Sequence, residues 1–86
     1  MDKIINLQRK TEKLQQLLES YATSDNDAEM VLGFMTPIFQ KIKAGEIVPP
    51  YEYKYRWYFA STESSLFKYD DLCEAAAEYG HALEDW

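Results

Sequence analysis

Between Asp2 and Ala22 the side chains Ile4, Leu7, Thr11, Leu14, Leu18 and Tyr21 recur at alternating steps of three and four residues, with Ile5 and Leu17 widening the stripe. A strand sends every second residue to one side, whereas a helix of 3.6 residues per turn gathers every third and fourth, so this spacing selects a helix. Lys3, Arg9, Lys10, Glu12, Lys13, Gln15, Gln16 and Glu19 occupy its other faces. A stripe this long must be covered. Either the rest of the same chain covers it as a bundle, or a second copy does so through the heptad of Ile4, Leu7, Leu14 and Leu18; three heptads are the lower limit for a coiled coil, which favours the bundle.

The next segment supports that choice. Thr23-Ser24-Asp25-Asn26-Asp27 is a turn rich in short oxygen-bearing side chains, and Asn26 with Glu29 three residues on has the form of a capping box. A second helix follows over about 26–44, with Met30, Val31, Phe34, Met35, Ile38, Phe39 and Ile42 as a broad apolar face, Lys41 and Lys43 where the helix dipole favours cations, and Gly45 as its stop. Pro37 lies inside it. A proline ring collides with the carbonyl four residues earlier, here that of Gly33, so the expectation is a kink rather than a break.

After a connector at 46–50 comes Tyr51-Glu52-Tyr53-Lys54-Tyr55-Arg56-Trp57-Tyr58-Phe59. Alternation of aromatic and charged residues fits a strand paired with Ser65 to Tyr69, an α+β fold with a hairpin at 51–69. The competing reading starts a short helix at Pro50 with Tyr51, Tyr55, Tyr58 and Phe59 on one face. The helix is preferred, because a lone two-stranded ribbon needs packing support to persist. Residues 60–65 read as a Ser/Thr-rich loop. Asp70 caps a last helix to about Asp85, in which Leu72, Ala76, Tyr79, Leu83 and Trp86 fall within an arc of roughly 80°. The expected fold is one all-α domain over 1–86, a small antiparallel bundle of three long helices (about 2–22, 26–44 and 70–85) with a short aromatic fourth element near 50–60.

At 86 residues such a chain hides only about 60–65% of its unfolded surface, so its thirteen aromatic residues carry much of the core. Nothing resembles a membrane span of about 18 apolar residues, nor a signal-peptide apolar region, which reads as a cytoplasmic protein with no membrane partner. The single Cys73 excludes an internal disulfide and a cysteine metal cage.

Charge is where the sequence departs most from a plain bundle. Residues 1–69 hold nine Lys and Arg against nine acids, whereas 70–86 hold Asp70, Asp71, Glu74, Glu78, Glu84 and Asp85 and no Lys or Arg. The net charge of −6 therefore belongs to the last helix. At 100° per residue these acids and His81 share an arc of about 140° opposite the apolar stripe. Neighbouring carboxylates at Asp70/Glu74 and Glu74/Glu78 repel, and Glu84 and Asp85 oppose the helix dipole. A solvated face that keeps the protein dissolved is one reading. A docking surface is the other, since a rigid row of carboxylates steers and holds a basic partner. Tyr and Trp are frequent interface anchors, and of the six aromatics at 51–59, Tyr53 and Tyr55 are the candidates to reach the surface.

Catalytic chemistry finds little support. The only His and the only Cys, His81 and Cys73, lie about 12 Å apart along one helix, too far for a nucleophile and its base. Cys73 beside the apolar stripe reads as a small core residue, and His81 as either a surface residue or a contact whose charge depends on pH. Asp25-Asn26-Asp27-Ala28-Glu29 has Met30 where a calcium loop needs Gly, and the glycines at 33, 45 and 80 form no phosphate loop. Lys54 and Arg56 among aromatics resemble a base-stacking surface, but the acidic total opposes direct nucleic-acid binding. No metal or cofactor site is indicated. The functional expectation is a non-enzymatic protein that docks Asp70, Asp71, Glu74, Glu78, His81 and Asp85, with Tyr53 and Tyr55, onto a basic macromolecule, as an inhibitor or immunity-type protein of a bacterial nuclease toxin does. A subunit that oligomerises as a homodimer through the N-terminal heptad is the alternative.

Overall fold

In a computed structural model the described residues, 3–52, 59 and 65–84, are organised by three α-helices and contain no strand. Helix α1 spans Lys3–Ala22, α2 Asn26–Lys43 and α3 Asp70–Glu84, with a 3-10 turn at Ser65–Lys68 before α3. The all-helical expectation holds at that level. The hairpin alternative loses its second strand, because Ser65–Lys68 closes into the 3-10 turn with Leu66 buried beneath it. Tyr53 to Tyr58, which carry most of the fourth aromatic element, lie outside the described residues; Tyr51 and Glu52 are irregular backbone, so the short helix does not begin at Pro50.

The α1 stripe closes on its own chain. Leu7, Thr11, Leu14 and Leu18 are fully buried against a core that includes Val31, Met35, Phe39 and Ile42 from α2 and Leu72, Ala76, Tyr79 and Leu83 from α3. Ile4 and Ile5 remain exposed. The broad apolar face expected of α2 is corrected in the same way: Val31, Met35, Phe39 and Ile42 fall within about 80° on the helical wheel and are buried, whereas Met30 and Phe34, at least 60° outside that arc, are more than 40% exposed. Seven apolar residues span more of the cylinder than the two neighbouring elements can cover. In the centre, the Phe39 and Tyr79 rings meet edge to face at 5.8 Å and 88°.

Helix ends explain the connections. The cap of α2 is Asp25, not Asn26: its extended backbone and its carboxylate, which accepts the N–H groups of Asp27 and Ala28 at 2.9 and 3.3 Å, satisfy donors that the first turn leaves free. Helix α2 runs through Pro37 without a break, and the Thr36 hydroxyl donates to the Leu32 carbonyl beside it. At the far end Gly45 takes φ of 79°, so that its N–H reaches Ile42 O and that of Glu46 reaches Lys41 O, the double closure of a Schellman motif. The Gln8 side chain adds donors to the Ile42 and Lys43 carbonyls, which puts the start of α1 beside the end of α2. The connector then returns to α3, where Tyr51 N–H donates to Leu83 O at 2.8 Å.

Candidate functional site

Helix α3 is fixed in rotation by what it buries: Leu72, Ala75, Ala76, Tyr79, Gly80 and Leu83 face inward, and the acidic arc is turned away from the core. Apart from Glu84 at its end, its charges divide into two groups. Asp71 and Glu78 form the edge nearer α1. The Glu78 carboxylate accepts from Lys10 at 3.1 Å and lies 3.7 Å from the Lys13 ammonium, and this hydrogen bond, with the two positive charges, holds its pKa below the usual glutamate value. The Asp71 Oδ1 accepts the Tyr21 hydroxyl at 2.7 Å and the Leu72 N–H at 2.8 Å.

Asp70, Glu74 and His81 make up the second group. All three are exposed, on one outward row that extends about 16 Å along the helix. Among the described residues no Lys or Arg pairs with Asp70 or Glu74. Asp70 stands in the first turn of α3 rather than as its cap, where a negative charge suits the helix dipole. Sequence reasoning placed all of these residues on one face, but it could not tell the spent edge from the outward row. Asp85, Tyr53 and Tyr55 lie outside the described residues.

Sequence reasoning missed the neighbouring tyrosines. Tyr21, at the end of α1, and Tyr69, just before α3, stack with ring centroids 4.1 Å apart and planes 22° from parallel. Tyr69 donates its hydroxyl to Asp25 Oδ2 at 2.7 Å, while Lys68 Nζ lies 5.2 Å from its ring centroid. Each phenol thus binds a carboxylate that belongs to the other's part of the chain. Both hydroxyls are held above tyrosine's ordinary pKa, first by these hydrogen bonds and then by partial desolvation. The only available signal was Tyr21 as the last member of the α1 stripe, which gives no hint of a partner about 50 residues away.

Other chemistry stays thin. The Cys73 thiol is half-buried and directed at the carbonyls of Phe59 and Leu66, each 3.3 Å away; burial first, and the Asp70 and Asp71 charges second, push its pKa up, away from a reactive thiolate. It packs at the core's edge rather than within it. An open cleft of about 310 Å³ is lined by Pro50, Tyr51, Glu52 and Glu84. Among the described residues no three His, Cys, Asp or Glu side chains are grouped to hold a metal ion, and no helix is long and apolar enough to cross a membrane. Comparison with protein families, curated proteins and solved structures finds no match to this chain.

Proposed function

We propose that the chain is a non-enzymatic binding protein that presents the outward row of α3 to a basic macromolecular partner, and that this partner is a protein such as a nuclease toxin which the chain inhibits. The observation that carries the reading is the division of the acidic arc. Glu78 and Asp71 are spent on Lys10, Lys13 and Tyr21, yet Asp70 and Glu74 remain solvent-facing on a helix whose opposite side is locked in the core. Carboxylates held in a fixed row keep their field directed outward and lose little freedom on docking, which favours fast, salt-sensitive capture of a positive surface. In this reading the scaffold is an antiparallel bundle, His81 extends the row, and Tyr53, Tyr55 and Asp85 take part in binding the partner.

The competing homodimer through Ile4, Leu7, Leu14 and Leu18 is less well supported, because three of those four side chains have no exposed surface to offer a second chain. The test is the pair Asp70→Lys and Glu74→Lys, which leaves Glu78 and its lysines in place. Wild-type chain immobilised on a resin is expected to retain a basic nuclease from its native lysate, to release it as salt rises, and to inhibit its activity; the double variant, with unchanged circular dichroism, is expected neither to retain nor to inhibit it. Equal retention by wild type and variant would refute the docking row.

A further inference from the structure

The stacked tyrosines have a geometry that the docking reading does not use. Their 4.1 Å centroid separation and 22° interplanar angle bring the two ring faces into contact, and each hydroxyl already donates to its own carboxylate, Tyr21 to Asp71 and Tyr69 to Asp25, both at 2.7 Å. Face-to-face contact is the approach by which two phenoxyl radicals couple. A carboxylate in hydrogen-bond contact is the group that takes the phenolic proton as the electron leaves. We propose that Tyr21 and Tyr69 are an oxidative cross-linking site, at which a one-electron oxidant ties the end of α1 to the start of α3 through a dityrosine bond.

Each phenol gives one electron to the oxidant and its proton to Asp71 or Asp25, and the two phenoxyls combine through their ortho carbons. The hydrogens on those carbons then move to the phenolic oxygens as the rings regain aromaticity. Two electrons reach the oxidant, two protons pass through the carboxylates to water, and one carbon–carbon bond is gained. A phenol with an ordinary pKa of about 10 is protonated at neutral pH, so each carboxylate acceptor has a proton to take. Both residues are half-buried, so the pair is open in part to an oxidant in solution. Tyr79, by contrast, is fully buried and presents its edge to Phe39.

The experiment uses the full chain at low concentration with photogenerated ruthenium(III) tris-bipyridine as the oxidant. Trypsin places Tyr21 in the peptide 14–41 and Tyr69 with Tyr79 in the peptide 69–86. The expected product is a monomer lighter by two hydrogen atoms in which these two peptides are joined. Tyr21→Phe and Tyr69→Phe each remove the joined pair, Tyr79→Phe retains it, and Asp71→Asn slows its formation several-fold with circular dichroism unchanged. A joined pair that survives Tyr69→Phe, links confined to other peptides or to separate chains, or an Asp71→Asn rate equal to wild type would overturn the proposal.

Discussion

Thr11 occupies a core position of α1 with no exposed surface, and its hydroxyl has no hydrogen-bond partner among the described residues. Removing a hydroxyl from water without a new partner costs about 1–3 kcal/mol, more than the packing of one methyl group returns. Thr11→Val keeps the branched shape and deletes the unsatisfied oxygen, so it is expected to stabilise the domain by roughly 1 kcal/mol, read as a higher urea midpoint at unchanged slope. A lower midpoint would mean that the hydroxyl has a bound water or another partner worth more than its desolvation. The position was legible in the sequence, as the polar member of an apolar stripe; its missing partner was not, because that depends on what the other helices bring to the same depth. Asp25 teaches the same limit. Asn26 and Asp25 both have the chemistry of a cap, and only the path of the chain leaving Tyr21, with its extended backbone at Asp25, decides which carboxamide or carboxylate meets the free N–H groups.

At the scale of the element, α3 was read most fully from the sequence: its length, its buried stripe and its acidic arc are all consequences of 100° per residue. A wheel gives angles about one axis but not which flank a neighbouring helix occupies. Glu78 and Glu74 are therefore alike in sequence and unlike in the molecule, one against Lys10 and Lys13 and the other open to solvent. The difference has a pH signature. The Glu78 pKa is lower in the folded chain than in the unfolded one, so its favourable contribution is complete above the ordinary glutamate value of about 4.3 and is lost as the pH falls through the lower folded value. Denaturant midpoints measured from neutral pH to below that window should fall on the acid side, and Glu78→Gln should remove part of that fall. Salt should shrink the Glu78 share, because both of its cationic partners are solvent-accessible. Equal acid-side behaviour of Glu78→Gln and wild type would show that the pairing carries no weight in solution.

For the whole molecule the question is whether one chain is enough, since a domain of this size sits near the limit of what a single core can support. The N-terminal heptad left that open, for the same spacing serves a bundle helix and a coiled-coil seam. Within one chain, Leu7, Leu14 and Leu18 share a core with residues of both α2 and α3, and the Gln8 contact to the end of α2 and the Tyr21 contact to the start of α3 tie α1 at two separate places along its length. Leu14→Asp distinguishes the arrangements. If Leu14 belongs to the interior of one chain, an aspartate there is a buried charge with no partner in a cavity that a leucine filled, at a cost of more than about 3 kcal/mol and a large fraction of the total stability. The expected outcome is a loss of helical circular dichroism and of the cooperative thermal transition, with wild type sedimenting as a monomer. If the leucine instead lined a seam between copies, the variant would keep its helices and change only from dimer to monomer. The two outcomes differ in the folded fraction of the variant, which is lost in the first case and kept in the second.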